Sequence, residues 1–300
     1  MTRPRRSLAR HEAMWGMAFI SPWVIGFLAF TLGPMLTSLW LSFTRYDLHK
    51  MDFVGAENYR RLLFVDPLFW KALSNTLYYA VFSVPLGILG SLALAVLLNQ
   101  KVRGLRVFRT LFYLPTMVPA VASAILWQWL FNTDNGAINL GLGIFGVPPV
   151  QWLQDERWTI PAFILMSLWG IGGARMIIFL AGLQGIAEHY HDAARIDGAT
   201  PWQRFRHVTL PLLSPVMFFN LMLGIIGAFQ IFTSAYVMTG GGPNNASLFY
   251  ALYLFQNAFE YFKFGKACAL AWILFVILMA ISLVQLRLSK RWVYYEGGEA

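Results

Sequence analysis

The sequence predicts an all-α integral membrane protein with six transmembrane helices, and three observations carry that expectation. Only 12% of the 300 residues are charged, half of the roughly 25% usual in soluble globular chains. The apolar residues, 58% of the total, collect in six runs, each near or above the ~20 residues that a spanning helix needs. None of the 14 Asp and Glu residues falls inside those runs. The net charge of +9 does not point to nucleic acid in such a chain, because basic residues of membrane proteins gather in cytoplasmic loops and face anionic lipid.

The first run, 15–43, follows the basic segment MTRPRRSLAR and so mimics a secretory signal. It is longer than the ~7–15 residues of a signal core, and no small-x-small cleavage site closes it. It is therefore expected to be a retained first span, with 1–14 as a cytoplasmic N-terminal segment. The other spans are expected at 73–99, 108–131, 159–184, 209–237 and 267–287, with 15–287 as the transmembrane domain and 288–300 as a cytoplasmic tail. Several runs exceed the minimum, which permits tilt. Pro22, Pro34, Pro85, Pro115, Pro119, Pro211 and Pro215 lie in or at the ends of the runs. Each removes a backbone donor. In lipid, such breaks survive only where neighbouring helices or a water-filled cavity satisfy the freed carbonyls. Together they favour a bundle built around a pathway.

Charge sets the expected orientation. With both termini in the cytoplasm, the inside segments are 1–14, 100–107, 185–208 and 288–300. Counting Arg109 and Arg287 at the inner span ends, these hold fourteen of the 23 Lys and Arg, against eight outside. Five of those eight sit in the long loop 44–72, and short loops carry the positive-inside rule more clearly. The remaining cation, Arg175, lies within the fourth run. The single cysteine, Cys268, excludes an intrachain disulfide and a Cys/His zinc cluster; in an apolar run it reads as a small packing residue.

The loop 185–208 is the polar exception, running into "HDAARIDGATPWQRFRHVTLPLL" at 191–213. A helix is expected from Gln184 to Asp197, with Ile186, Tyr190, Ala193 and Ala194 on one stripe. Gly198 stands where a helix end calls for positive φ. Thr200-Pro201-Trp202-Gln203 then has the residues of a capping box with proline at the first helical position. Trp202, Phe205 and Val208 continue an apolar face, and Pro211 marks the junction with the fifth run. The residues describe a stiff knob; they also fit an amphipathic hairpin lying flat on the membrane.

Asp192-Ala193-Ala194, then Gly198, then Val208-Thr209-Leu210-Pro211 resembles the EAA loop of permease subunits of ABC importers. Asp192 replaces the usual glutamate, and Ala187 stands where proline is common. The resemblance extends over roughly 15–289 to the carbohydrate-uptake, maltose-type branch. It is carried by "SPWVIGFLAFTLGPMLTSLWLSFTRYDL" (21–48), "FVGAENYRRLL" (53–63), "FYLPTMVPAVASAILWQWLFNTDNGAINLGLG" (112–143), "FLAGLQGI" (179–186) and "YVMTGGGPNNAS" (236–247). It implies a type I ABC importer permease architecture in a bacterial inner membrane. It implies a second permease subunit, two cytoplasmic ATPase subunits that bind ATP and Mg, and an extracytoplasmic solute-binding protein. The cargo it implies is a sugar or oligosaccharide. Asp192, Ala193, Ala194, Gly198, Ala199 and Pro211 occupy the positions that the resemblance assigns to ATPase docking and coupling.

No nucleotide site or catalytic centre is expected in this chain. It has no G-x-x-x-x-G-K-[ST] motif, and Gly265-Lys266 is followed by alanine. "GLGIFG" (141–146) is followed by two prolines and lacks a βαβ setting. His189, His191 and His207 lack a metal-ligand pattern and read as solvated. Asn245-Ala246-Ser247 fits the glycosylation pattern by chance in a chain of bacterial type. Arg175 is the sharpest candidate on a substrate pathway, about nine residues or ~14 Å inside its span. It fits a residue that binds substrate hydroxyls or an anionic group, and equally one bonded to carbonyls or to a second permease. Gly170, Gly172 and Gly173 beside it allow close helix approach or a bend. Trp169, Asn220 and Gln230 are further pathway candidates. Thr239-Gly240-Gly241-Gly242-Pro243 reads either as a contact for a binding protein or as a plain turn. The rival readings are a sodium-coupled secondary transporter and a membrane enzyme. The lack of intramembrane Asp and Glu argues against proton coupling, and no polar catalytic cluster supports an enzyme.

Overall fold

A computed structural model describes residues 6–47, 50–100 and 103–294. Residues 1–5 of the expected N-terminal segment, Lys101 and Val102 of the loop 100–107, and 295–300 of the expected tail lie outside the described residues. In chain order the elements are α1 (Arg6–Phe27), α2 (Gly33–Ser42), β1 (Thr44–Tyr46), β2 (Met51–Phe53), α3 (Glu57–Phe64), α4 (Pro67–Leu98), α5 (Leu105–Tyr113), α6 (Ala120–Leu130) and α7 (Ala137–Gly143). They continue with α8 (Glu156–Leu168), α9 (Ala174–Gly185), α10 (Glu188–Ile196), α11 (Pro201–Arg204), α12 (Leu210–Leu212), α13 (Ser214–Phe229), α14 (Thr233–Met238), α15 (Tyr250–Phe255) and α16 (Phe264–Ser289).

Four helical stretches are long and apolar enough to cross a membrane: Arg10–Ser42, Pro67–Leu98, Ser214–Met238 and Phe264–Ser289. Two bent pairs, Leu105–Met117 with Ala120–Leu130 and Glu156–Gly172 with Ala174–Gly185, bring the set to six. The runs expected at 108–131 and 159–184 each contain such a bend. The first pair turns by 93° where a short 3₁₀ turn, Leu114–Met117, ends at Val118. Val118 precedes Pro119 and is extended, with φ −73° and ψ 128°, since proline disfavours helical geometry in the residue before it. The second pair bends by 45° at the glycines.

The chain divides into two units, Met1–Val65 with Gln256–Leu274, and Asp66–Phe255 with Phe275–Ala300. In the first, a π turn at Leu28–Leu32 separates α1 from α2. It precedes Pro34, whose missing N–H breaks the regular ladder. The loop after α2 has structure of its own. β1 and β2 pair antiparallel with Arg45 opposite Asp52. Asn58 on α3 donates to the carbonyls of Ser42 and Thr44, both at 2.8 Å. Gly265 at the start of α16 lets the Thr44 carbonyl approach so closely that a Cβ there would stand 1.9 Å from the oxygen.

In the second unit α4 is central and packs on α8, α9 and α13. Ala72, Thr76, Ala80, Ser83, Gly87, Ser91 and Ala95 are all buried on it. They recur every three or four residues, so they form one face of small side chains. Small faces let helix backbones come close where lipid gives no hydrophobic drive. Ser91 also donates to the Ile171 carbonyl at 2.8 Å, satisfying a group released where the fourth span bends. At one end of α4, Asp66 caps the helix by accepting from the Leu68 N–H at 3.0 Å, and Tyr253 donates a short hydrogen bond to its other carboxylate oxygen. At the far end, Arg109 donates to the Leu98 carbonyl at 3.0 Å.

The segment 239–250 is folded back rather than a plain exposed turn. Gly240 and Gly241 take φ of 58° and 98°, and Asn244 and Asn245 take 44° and 61°. Ala246, Ser247, Leu248, Phe249 and Tyr250 are buried. Asn75 of α4 donates to the carbonyls of Asn245 (2.8 Å) and Leu248 (3.1 Å). The Tyr250 N–H donates to Thr76 at 2.8 Å. Burial first, and Tyr253 second, push the Tyr250 phenol above its ordinary pKa.

Candidate functional site

The helix breaks create the site. Gly172 and Gly173 carry the fourth span past the bend of the third. A Cβ on Gly172 would meet the Phe112 carbonyl oxygen at 2.1 Å, and one on Gly173 would meet the Thr116 methyl at 2.4 Å. At Gly172 only glycine allows so close an approach to another helix's backbone. Beside it lies a cavity of about 390 Å³, walled by α4, α13, the start of α9 and the 3₁₀ turns at Leu114–Met117 and Trp169–Gly172. Tyr79, Ser83, Thr116 and Ser167 bring hydroxyl groups to its wall.

Arg175 is the charged residue of that wall. Its side chain crosses from α9 between two other helices. A Cβ on Gly87 of α4 would stand 2.3 Å from its Nη1, and a Cβ on Gly224 of α13 would stand 3.3 Å from its Nη2. Arg175 is half-buried. Among the described residues it makes no hydrogen bond and no ion pair. It sits in the first turn of α9, whose N-cap is Gly173 and whose leading N–H groups receive no side-chain cap.

A second cavity of about 200 Å³ shares Tyr79, Thr116, Ser167 and Gly170 with the first. Trp169 lines it and packs edge-on against Trp127, with ring centroids 5.3 Å apart. The structure thus brings Trp169 to the neighbourhood of Arg175. Asn220 and Gln230 do not line either of these two cavities. Asn220 is 2% exposed, and its amide donates to the Val216 carbonyl of its own helix at 2.9 Å. Gln230 caps the C-terminus of α13 and is exposed. Both are polar letters in an apolar run, and Asn220 lies one helical turn from Gly224 of the cavity wall. The residues that sequence reasoning missed are Tyr79, Ser83, Gly87, Thr116, Ser167 and Gly224. The small-residue period of α4 was the available signal for the first three.

The loop 185–208 lies between two helices of this site, α9 and α13. Its first helix begins at Glu188, not near Gln184, because Ile186 and Ala187 are extended, with ψ of 119° and 135°. Ile186 therefore does not share a helical stripe with Tyr190. Gly198 has φ of 76°. Its N–H donates to the Arg195 carbonyl at 3.0 Å, and the Ala199 N–H donates to the Ala194 carbonyl at 2.9 Å. This pair of bonds is a Schellman closure of α10. The capping box forms: the Thr200 hydroxyl accepts from the Gln203 N–H at 3.3 Å, and the Gln203 side chain accepts from the Thr200 N–H at 2.8 Å. A π turn at Phe205–Thr209 then joins α11 to α12, where Pro211 cannot donate, and α13 follows.

Asp192 pairs with Arg195 one turn on, at 2.8 Å. Both side chains are more than half exposed, and such pairs contribute about 0–1 kcal/mol, so either charge exchanges readily to another partner. Ala193 is exposed, while Ala194, Ala199 and Pro211 are partly covered. Ile196 and Trp202, at 87% and 66% exposed, flank the Gly198 turn and give the knob an apolar tip. Among the described residues, no three His, Cys, Asp or Glu side chains are grouped to hold a metal.

A bundle of broken apolar helices around a hydroxyl-lined cavity, tied to a stiff exposed loop, defines a membrane transport component. The sequence model of the family described as "binding-protein-dependent transport system inner membrane component" matches residues 69–294, and the chain belongs to that family. It is 43% identical to the probable ABC transporter permease protein YesP of Bacillus subtilis (strain 168), over 97% of this chain and 95% of that protein. It is 36% identical to the lactose transport system permease protein LacF of Rhizobium radiobacter, covering 95% and 97%. Identity is 33% with the trehalose/maltose transport system permease protein MalF of Thermococcus litoralis, covering 94% and 96%. The fold is that of a chain in the crystal structure of a bacterial ABC transporter involved in the import of the acidic polysaccharide alginate. That match has a TM-score of 0.81 and 23% identity, over 95% of this chain and 98% of that one.

Proposed function

We propose that the chain forms half of the translocation pathway of an ABC importer for a sugar or oligosaccharide. In this reading it works in the inner membrane beside a second permease, with ATP and Mg bound by two cytoplasmic ATPase subunits and cargo delivered by an extracytoplasmic binding protein. The excess of Lys and Arg on one side supports cytoplasmic termini and a cytoplasmic 185–208 loop. The names of LacF and MalF, relatives at 36% and 33% identity, support the cargo class.

One observation carries the mechanism. The 185–208 knob joins α9 and α13, and the far parts of those two helices meet at Arg175 and Gly224 in the cavity wall. A knob closed by a Schellman pair and a capping box moves as a unit. Displacing it shifts α9 against α13 and so reshapes the cavity. Docking of Asp192, Ala193, Ala194, Gly198, Ala199 and Pro211 on an ATPase would supply that displacement. Arg175 and Trp169 would stand on the cargo path, with Asn220 and Gln230 as further candidates along it.

The test is purification of the chain, expressed with its neighbouring genes, without crosslinker. An ATPase subunit should come with it, and the complex in vesicles should take up a saccharide only with ATP. Recovery without any ATPase, or uptake driven by a sodium gradient alone, would overturn the reading.

A further inference from the structure

We propose that the Arg175 cavity is a carboxylate-binding site, so that the saccharide it passes is an acidic one. The proposal rests on the importer reading above and narrows its cargo.

A guanidinium inside a membrane domain is costly, and such groups pair with one another, meet carbonyls, or mark a substrate path. Among the described residues Arg175 has neither a carboxylate nor a carbonyl partner. It reaches between two helices into the cavity. Gly87 and Gly224 leave a slot that the guanidinium fills, with virtual Cβ positions only 2.3 and 3.3 Å from its two terminal nitrogens. A flat fork presented there is suited to binding both oxygens of a carboxylate at once. The uncapped first turn of α9 begins at Ala174 in the same wall, so its free N–H groups and positive helix end favour the same sign of charge. The hydroxyls of Tyr79, Ser83, Thr116 and Ser167 around Arg175 suit the remaining hydroxyls of a sugar ring. The volume of about 390 Å³, with a further 200 Å³ adjoining, falls in the range of about 300–1,000 Å³ typical of small-ligand sites.

The test uses the assembled complex in detergent without its binding protein, read by tryptophan fluorescence from the pair beside the second cavity. The probes are disaccharides of galacturonate, mannuronate and glucuronate, each beside its methyl ester, which keeps shape and removes charge. At least one acid should bind more tightly than its ester. Arg175→Gln should weaken that acid about 10- to 100-fold, the scale of a charge-assisted hydrogen bond, and leave its ester within about twofold. Arg175→Lys should recover part of the loss. Gly87→Ala, which pushes the guanidinium out of its slot without removing its charge, should weaken the acid severalfold if Arg175→Gln fails to assemble. Acid and ester weakened alike would assign Arg175 to the protein's own packing or to a partner carboxylate and overturn the proposal. Binding of neutral sugars such as lactose or maltose, with no preference for any acid, would overturn the acidic cargo but keep the importer reading. No response to any saccharide would overturn the carboxylate site, while ATPase co-purification and ATP-dependent uptake decide the importer reading separately.

Discussion

Arg175 on α9 occupies the space that Gly87 leaves open on α4, its Nη1 lying 2.3 Å from where a Cβ would stand. The obstructed atom is the end of a flexible side chain, which can swing away at little cost. Alanine also favours a helix interior over glycine by about 1 kcal/mol. Gly87→Ala is therefore expected to leave the melting temperature of the purified complex unchanged or slightly higher, while transport falls severalfold because the guanidinium is displaced. Parallel loss of stability and transport would show that Gly87 serves packing alone.

Gly172→Ala should behave in the opposite way. Its virtual Cβ meets the Phe112 carbonyl oxygen at 2.1 Å and the carbonyl carbon at 2.8 Å, and backbone cannot swing aside. Forcing a methyl group into close packing costs about 1–3 kcal/mol or more. The two bent spans should separate locally, and the variant should melt several degrees lower or fail to assemble. Wild-type stability by thermal unfolding would mean that the bends are not locked together.

These two glycines mark how far the sequence could be read. The knob was legible almost letter by letter, since Gly198, Thr200 and Gln203 act through neighbours three to five residues away. Arg175 was legible because a lone cation in an apolar run stands out. Its slot was not, because Gly87 and Gly224 are far apart in sequence and meet only through helix packing. The small face of α4 hinted at one wall without saying which helix it would receive. Asn220 and Gln230 could be singled out but not placed for the same reason, since a polar letter in an apolar run does not reveal which way it faces. The 93° turn at Val118–Pro119 was partly readable, as proline announces a break but neighbouring helices set its angle.

At Gly198 the φ of 76° is the constraint, for nothing lies within 4 Å of a virtual Cβ. The cost of substitution is thus conformational, about 1–2 kcal/mol for an ordinary side chain and less for asparagine, which visits this region more readily. Uptake and cargo-stimulated ATPase activity should decline in the order Gly, Asn, Ala, Val at position 198, with the ATPase still co-purifying in the milder variants. Thr200→Val, which removes the cap hydroxyl and costs about 1 kcal/mol, should add to the loss. Equal coupling across the series would mean that stiffness at this turn does not matter.

At the other end of α4, Asn75 holds the 239–250 segment. Its amide is 5% exposed and donates to the carbonyls of both Asn245 and Leu248. Leucine fills a similar space but donates nothing, leaving the Leu248 carbonyl without this donor, while the Asn245 carbonyl keeps the Leu248 N–H at 3.2 Å. Each buried group left without a partner costs about 1–3 kcal/mol. Asn75→Leu should therefore be more damaging than its size suggests. Part of the segment also hangs on the Tyr250 N–H bond to Thr76, so the loss should be local. Limited proteolysis should cut near Gly240–Asn245 in Asn75→Leu well before the wild type, with helix content by circular dichroism unchanged. Protection equal to the wild type would mean that the buried Ala246–Tyr250 strip holds the segment by apolar contact alone.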